Sequence, residues 1–189
     1  MLIKMNLVLI FQKQNIIFCQ SFRKKQLEEW TGLKCSDIVF DSTIDNWNKN
    51  TSEFNERIIG KKQLVFLIEY TDGEKFGYYL NDTIVEKYEE WMKTDEKTFH
   101  FNLESNGRLN HPMKFKINDL YWGGYELYSK DHDWLIALGD IFLCKKHKYD
   151  ESCCYQYKSF DYQDIQPALC GKTEPLTFTP KRFIVIQMI

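Results

Sequence analysis

The segment Leu64–Leu80, LVFLIEYTDGEKFGYYL, combines an apolar run, a turn signal and an alternating run. Its first five residues form an apolar run that is typical of a buried strand. The turn Thr71-Asp72-Gly73 follows, and an Asp-Gly pair readily adopts the positive φ angles that a two-residue hairpin turn requires. The return half places alternate residues on one face: Phe76, Tyr78 and Leu80. The stretch therefore predicts an antiparallel hairpin at the centre of the protein, with nothing in it that is chemically reactive.

The composition of the 189-residue chain fits one domain with a hydrophobic core. Hydrophobic residues make up 43% and aromatic residues 16%, which is more than a disordered chain carries. A chain of this length can bury a core without disulfides or metals. The formal net charge is −2, whereas an electrostatic nucleic-acid binder needs a basic surface. We therefore expect a globular protein that does not bind nucleic acid.

The first twenty residues are predicted to be an N-terminal extension, ahead of a single domain over 21–189. The apolar run Leu7–Phe11 is shorter than the ~20 residues that a membrane span needs, and no small-residue cleavage site follows it. Six cysteines are present, but without an export signal reduced thiols are the expected state. We expect a cytoplasmic protein with no membrane span.

Three segments show helical patterns. The first runs from its cap, Ser21, to Trp30 and ends at Gly32. The second is short, carries Phe54 and Ile58 on its apolar face, and ends at Gly60. The third pattern predicts a helix on the sheet over 84–92, and its apolar positions are Ile84, Tyr88, Trp91 and Met92.

Strand patterns fill most of the remaining chain. Thr98–Leu103 alternates, which predicts a buried face of Phe99, Phe101 and Leu103 and a solvated face that carries His100. Its hairpin turn, Ser105–Arg108, contains the favoured Asn-Gly pair. Further strands are predicted at 36–40, 113–117, 125–128, 134–138, 141–144 and 155–160. The last, Phe183–Met188, is apolar almost throughout and is expected to be central. Many short strands with a few helices indicate an α+β protein with a β-sandwich at its centre.

The span from Cys144 to Cys154 holds soft metal ligands but does not match a structural zinc site. Cys144 and His147 have a suitable spacing, whereas the adjacent Cys153 and Cys154 point to opposite faces if they lie in a strand. No metal and no other cofactor is therefore predicted. Because a basic loop lies close by, Cys153 and Cys154 are the candidate thiols for reversible oxidation.

The sequence contains no catalytic constellation. Neither a phosphate-binding glycine loop nor a Gly-x-Ser-x-Gly elbow is present. The run Lys145-Lys146-His147-Lys148 is predicted to be an exposed basic loop and is the candidate contact for a partner. These observations favour a non-enzymatic protein.

Short motifs stand in a fixed order along the chain. They are Asp41-Ser42 at a strand end, Asp72-Gly73 in the hairpin turn, Phe76-Gly77 on the return strand, Phe99-x-Phe101, Gly139-Asp140 and Gly171. From Leu27 to Met188 this order resembles the TLDc domain, in the divergent form of some protist proteins. The resemblance implies two antiparallel sheets packed as a sandwich and flanked by short helices. It also implies protection against oxidative stress and, as in several members, binding to a subunit of the vacuolar proton pump (V-ATPase).

We therefore expect a non-enzymatic interaction domain of TLDc type whose partner is a protein. Two alternatives stay open: a thiol-based redox sensor or enzyme that uses Cys153 or Cys154, and a lineage-specific binding module with a different partner. The motif residues are expected to be scaffold. Phe76 should anchor the sandwich core, and Gly77 should permit close packing where a side chain would collide.

Overall fold

The structure is a computed structural model that describes residues 22–71, 73–172 and 176–189. Three sequence predictions lie outside the described residues. They concern the N-terminal extension over 1–20, the helix cap Ser21, and Asp72 of the hairpin turn.

Eleven short strands and three short helices make up the described part of the chain. The helices are α1 (Phe22–Thr31), α2 (Phe54–Ile58) and a 3₁₀ helix (Lys146–Glu151). The strands are β1 (Cys35–Asp41), β2 (Leu64–Tyr70), β3 (Lys75–Leu80), β4 (Trp91–Met92), β5 (Phe99–Glu104), β6 (Met113–Lys116), β7 (Tyr125–Leu127), β8 (Trp134–Leu138), β9 (Ile141–Cys144), β10 (Cys153–Cys154) and β11 (Pro180–Met188).

These strands form two antiparallel sheets that pack face to face. Among the described residues, one sheet has six strands in the order β1-β11-β2-β3-β5-β6, and the other has five in the order β10-β9-β8-β7-β4. The main core lies between them and joins Phe66 and Tyr78 of the first sheet to Ile136 and Leu138 of the second. The predicted α+β sandwich of two antiparallel sheets with flanking short helices is confirmed.

The hairpin β2–β3 lies in the middle of the six-stranded sheet, where Leu67 pairs with Gly77. Its connection is longer than the predicted two-residue turn. The Tyr70 N–H donates to the Glu74 carbonyl at 2.9 Å, which leaves positions 71–73 for the connection. Gly73 has φ +87°, the left-handed conformation that the Asp-Gly pair predicts.

The last strand, β11, lies between β1 and β2, as its apolar sequence predicts. Both of its faces are buried because its side chains alternate between two cores. Phe183 and Val185 face the other sheet. Ile184 and Ile186 face outward into a second core, which α1 closes with Leu27. The helix α1 ends at Gly32, as predicted, where φ is +71°.

The predicted helix over 84–92 is wrong. This segment is irregular over 84–90, and its end forms β4, which pairs with β7 in the second sheet. Two of its backbone N–H groups bond outside the segment: the Ile84 N–H donates to the Lys61 carbonyl and the Glu89 N–H donates to the Leu127 carbonyl, both at 2.8 Å. These distant partners satisfy the backbone without a helix, so the helical spacing of the apolar residues is overridden.

The predicted solvated face of β5 is also wrong, because both faces are buried. Phe99, Phe101 and Leu103 lie in the core beneath α1, as predicted. His100 and Asn102 instead point into the space between the sheets, where the chain that follows β10 covers them. The Asn102 Nδ2 donates to the carbonyls of Ala168 and Leu169. Polar character at alternate positions therefore marks internal hydrogen bonds and not contact with water.

Two further predictions need correction. The strand predicted over 155–160 is displaced, because Cys153 and Cys154 pair with β9 while Phe160 makes only an isolated bridge to Ile117. The turn at Ser105–Arg108 has the predicted positive φ angles at its Asn-Gly pair. However, β6 begins at Met113, so this turn lies within a longer connection.

Candidate functional site

A cleft of about 400 Å³ opens on the second sheet and is lined largely by aromatic side chains. Four separate segments line this aromatic cleft: β4, the turn that follows β6, the β8–β9 turn with β9, and the chain that follows β10. Its lining residues are Trp91, Asp119, Trp122, Gly139, Asp140, Phe142, Tyr157, Lys158 and Ser159. The aromatic residues among them are Trp91, Trp122, Phe142 and Tyr157.

The aromatic side chains form a continuous stripe. The ring centroids of Trp91 lie 6.0 Å from Trp122 and 6.4 Å from Phe142. The stripe continues from Phe142 to Tyr155 at 5.6 Å, and from Tyr155 to a stacked Tyr157 at 5.2 Å. The two ends of the stripe are open to solvent, since Trp122 is 59% and Tyr157 58% exposed. Exposed aromatic groups clustered in this way are characteristic of a binding surface.

The turn that carries Trp122 is fixed by local hydrogen bonds. Asp119 accepts the N–H groups of Tyr121 and Trp122 with one carboxylate oxygen, Oδ1, at 2.9 and 3.1 Å. The turn then packs onto β4 so closely that a Cβ on Gly124 would lie 1.9 Å from the Met92 carbonyl oxygen. Only glycine fits at this position, so the sequence YWGG places Trp122 at the edge of the sheet.

Asp140 forms the floor of the cleft and is 1% exposed. Its Oδ2 accepts the Tyr157 N–H at 3.0 Å and lies 2.8 Å from the Tyr162 hydroxyl. Burial raises the pKa of Asp140 to about 6, although hydrogen bonds from Tyr162, Ser159 and Tyr157 act in the opposite direction. The carboxyl group therefore also anchors the chain segment that carries Tyr157.

Behind the cleft, a chain of hydrogen bonds leads from Asp140 through Tyr162 to His100. The Tyr162 hydroxyl is 2.8 Å from Nδ1 of His100, and Nε2 of His100 is 2.9 Å from the Leu138 carbonyl oxygen. Since a carbonyl only accepts, Nε2 carries a proton. Burial lowers the pKa of His100 to about 3, which favours a neutral ring whose Nδ1 accepts from Tyr162.

Below about pH 6 this hydrogen-bond chain holds one extra proton, on either Asp140 or His100. The Tyr162 hydroxyl has a single proton. When that proton is donated to neutral His100, the oxygen of Tyr162 must accept from a protonated Asp140. When Tyr162 donates instead to ionised Asp140, its oxygen must accept from a protonated His100. Both arrangements contain the same number of protons, and the low pKa of His100 favours the first.

Within the described residues, the chemical groups of the cleft do not form a nucleophile–base pair. Ser159 hydrogen-bonds Asp140, while His100 is buried behind Tyr162 and does not line the cleft. Within the described ranges, the cleft therefore brings no nucleophile next to a histidine base. Those ranges also contain no group of three or more His, Cys, Asp or Glu residues that could hold a metal ion.

The candidate thiols, Cys153 and Cys154, are both buried on opposite faces of β10. Cys154 points into the sandwich core, where it hydrogen-bonds Cys170, while Cys153 lies beside Tyr155. Burial raises the pKa of Cys153 and of Cys154. Limited access and a disfavoured thiolate both argue against reactivity at this pair.

The prediction of an exposed basic loop is wrong for Lys145. This side chain is buried, and its Nζ donates to the carbonyls of Ser129, His132 and Trp134 at 2.8, 2.5 and 2.7 Å. Burial lowers the pKa of Lys145 to about 8. The ammonium group therefore ties the 129–134 loop to the end of β9 and is not available to a partner.

The rest of the basic run belongs to the 3₁₀ helix and is partly neutralised. His147 lies 3.1 Å and Lys148 3.3 Å from the carboxylate of Asp133, which also pairs with Lys49. Hydrogen bonds from Lys49, His147 and Lys148 hold the pKa of Asp133 well below its usual range. Lys146 is exposed. This segment is a weaker candidate for partner contact than the aromatic cleft.

The first motif, Asp41-Ser42, fastens β1 to β11. Arg182 donates to both carboxylate oxygens of Asp41, and the Ser42 Oγ accepts the Phe183 N–H at 2.8 Å. Burial raises the pKa of Asp41, but hydrogen bonds from Arg182 and Thr43 outweigh it, so the net shift is downward.

The remaining motif residues lie in the framework around the cores. Phe76 is buried in the sandwich core against Phe178. A Cβ on Gly77 would lie 1.9 Å from the Phe66 carbonyl oxygen and 2.8 Å from the Phe101 ring, so the predicted close packing is present. Gly171 has φ +74° and lies against the Glu74 carboxylate. Gly139, at φ +54°, makes the β8–β9 turn that presents Asp140.

Sequence reasoning missed the aromatic cleft because its residues come from four distant segments. One local signal was available: Trp122 stands in a glycine turn, where a large aromatic residue has little chance to enter a core. Trp91 gave no such signal, since helical spacing had assigned it to an apolar face.

No family model matches the chain, and no curated protein matches it. Among the described residues, no helix is both long and apolar enough to span a membrane. The resemblance to TLDc domains therefore stays a prediction from the motif order.

Proposed function

We propose that this protein is a non-enzymatic interaction domain of TLDc type that binds a protein partner through the aromatic cleft. The observation that carries the proposal is the aromatic stripe, whose two ends, Trp122 and Tyr157, are more than half exposed. Trp and Tyr are the residue types that dominate binding energy in protein interfaces.

Rigid support for the stripe strengthens the proposal. Trp91 lies on a strand and donates its indole N–H to the Tyr121 carbonyl. Trp122 stands on a turn held by Asp119, and the backbone beside Tyr157 is held by Asp140. Side chains on a fixed backbone lose less conformational freedom on binding, which favours affinity.

The motif order suggests which partner to test first. By resemblance to TLDc domains, a V-ATPase subunit is the first choice, and a role in the response to oxidative stress would follow from that family. A lineage-specific partner is the alternative, and the same cleft would serve it.

The test compares partner capture by the wild type and by a Trp122→Ala/Tyr157→Ala double variant. Purified V-ATPase subunits and cell lysate are both used, under reducing and oxidising conditions. We expect the wild type to retain a specific partner and the double variant to lose it. Because both side chains are exposed, the melting temperature should change little.

The matched control is Tyr149→Ala, which removes an exposed aromatic group from the 3₁₀ helix. Tyr149 is 41% exposed and packs on Trp47, away from the cleft. We expect this variant to capture the partner as the wild type does. Equal capture by all three proteins would show that the aromatic cleft is not the binding surface.

A further inference from the structure

We propose that the aromatic cleft binds an arginine side chain of the partner, with the guanidinium stacked on the aromatic wall and paired with the carboxylate of Asp119. This inference rests on the proposed function and adds the chemistry of the bound group.

The walls of the cleft offer aromatic faces to a ligand. Trp91 is half-buried, and its indole N–H is already bonded to the Tyr121 carbonyl, so the ring contributes its π face and not a hydrogen-bond donor. Trp122 beside it exposes more than half of its surface. A cation above such a face is attracted by the ring quadrupole, and the planar, weakly hydrated guanidinium also stacks on it.

The charged groups of the cleft favour a cation. Asp119 uses Oδ1 for the two N–H groups of its own turn, and its Oδ2 has no hydrogen-bond partner among the described residues. Asp140 supplies a second carboxyl group at the floor, and Lys158 is the opposing charge. Asp140 is buried, and its Oδ2 is already bonded to Tyr157 and Tyr162, so the exposed carboxylate of Asp119 is the group that pairs with an added cation.

The walls of the cleft favour arginine over other cations. A guanidinium is planar and weakly hydrated, so it can lie flat along an aromatic wall, whereas an ammonium is compact and strongly hydrated. The guanidinium fork also matches a carboxylate, while a lysine ammonium acts as a point charge. A neutral planar ligand would stack equally well but would not pair with Asp119.

The test uses three short peptides as probes: acetyl-Gly-Arg-Gly-amide, the same peptide with citrulline, and the same peptide with lysine. Citrulline keeps the planar end of arginine without its charge. Binding is followed by NMR of the tryptophan indole N–H signals, up to about 20 mM peptide, because a single side-chain contact gives millimolar affinity. We expect the Trp91 and Trp122 signals to move. Trp47, which is buried beside Tyr149, serves as the internal control that should not move.

The expected result is that the arginine peptide binds at least about fivefold more tightly than the citrulline or lysine peptide. The variant Asp119→Asn keeps Oδ1 for the turn but removes the charge. It should weaken the arginine peptide about threefold or more and leave the citrulline peptide unchanged. Trp122→Ala should weaken the arginine and citrulline peptides together.

Three results would overturn the inference: no movement of the Trp91 and Trp122 signals, citrulline binding as tightly as arginine, or lysine binding as tightly as arginine. Partner capture separates this failure from that of the proposed function. If Trp122→Ala/Tyr157→Ala abolishes capture while arginine shows no advantage, the cleft binds a protein without recognising arginine. If capture is unaffected by the double variant, the proposed function itself is wrong.

Discussion

Folding shifts the pKa values of Asp140 and His100 in opposite directions. The folded pKa of His100, about 3, lies below its ordinary value of 6.5, so this group contributes stability above pH 6.5 that is lost as pH falls. The folded pKa of Asp140, about 6, lies above its ordinary value of 3.8, so this group contributes stability below pH 3.8 that is lost as pH rises through 6. Between pH 4 and 6 the two effects oppose each other, because the folded pair and the unfolded pair bind the same number of protons.

The variant Asp140→Asn should break this balance. Asparagine keeps an acceptor oxygen but cannot take up the proton, so the contribution of Asp140 at low pH disappears. Relative to the wild type, the variant should lose about 1.4 kcal/mol of unfolding free energy for each pH unit between 6 and 4, about 3 kcal/mol in total. Urea unfolding of both proteins from pH 4 to 8 measures how the difference in their unfolding free energy changes with pH.

Asp150→Asn is the matched control for this measurement, since Asp150 is an exposed carboxylate of the 3₁₀ helix. Its stability should follow the wild type at every pH. Parallel curves for Asp140→Asn and the wild type between pH 4 and 6 would show that Asp140 is ionised in the folded protein throughout that range.

Gly77 tests the packing of the central hairpin. An alanine Cβ would lie 1.9 Å from the Phe66 carbonyl oxygen, a backbone atom that cannot move without disturbing β2. We expect Gly77→Ala to cost about 3 kcal/mol, at the upper end of the range for overpacking. Gly60→Ala is the control, because its Cβ would meet no atom within 4 Å and only its φ of +78° is unfavourable. Thermal melts in which Gly77→Ala loses no more than Gly60→Ala would contradict the packing.

At the scale of elements, periodicity predicted the strands better than it predicted the helices. The patterns gave β8 and β9 with the bounds that the structure has, because their glycine turn and apolar runs are local signals. Over 84–92 the same reasoning failed, since the backbone finds partners on β7 and on Lys61 that no local pattern reveals. The burial of Lys145 was also beyond local reasoning, because its three carbonyl partners belong to another loop and strand.

Because 84–90 is irregular and not helical, a glycine substitution at Glu89 should change stability in the opposite direction to one within a helix. Glu89 has φ +57°, a conformation that costs a non-glycine residue about 1–2 kcal/mol. Glu89→Gly should therefore leave stability unchanged or raise it by up to about 1 kcal/mol, whereas glycine within a helix would lower it by about 1 kcal/mol. Glu86→Gly in the same segment lacks a positive φ and should be mildly destabilising. Denaturant midpoints check the prediction, and a loss of about 1 kcal/mol or more for Glu89→Gly would contradict it.

At the scale of the whole molecule, the two sheets differ in how their strands are protected. The six-stranded sheet has long central strands, β2 and β11, that are buried on both faces. The five-stranded sheet is bounded by the two-residue strands β4 and β10. The aromatic cleft is therefore built at an edge that can open without unfolding the centre.

Hydrogen exchange should reveal this difference. We expect the amides of β2 and β11 to exchange only through global unfolding, and those of β4 to exchange at least about a hundredfold faster. Native-state exchange in increasing denaturant checks the prediction. The opening free energy of β2 and β11 should fall with denaturant as steeply as that of global unfolding, and that of β4 less steeply. Equal protection of β4 and β11 would show that the molecule opens as a single unit.

The sandwich was predictable at this scale, but the assembly of the cleft was not. Alternating apolar positions and glycine turns indicate strands, and many short strands indicate a sandwich. No local sequence pattern specifies the order of strands across a sheet. That order brings Trp91, Trp122, Phe142 and Tyr157 together across 66 positions of the sequence, from 91 to 157.

The position of β11 between β1 and β2 also determines when the six-stranded sheet can form during synthesis. The slot between β1 and β2 stays open until residues 180–188 have been synthesised, because these residues alone fill it. Until then, β1 and β2 present unpaired edges next to apolar surface, which is the state most prone to aggregation and most attractive to chaperones. The six-stranded sheet is therefore expected to complete its folding only after residues 180–188 have been synthesised.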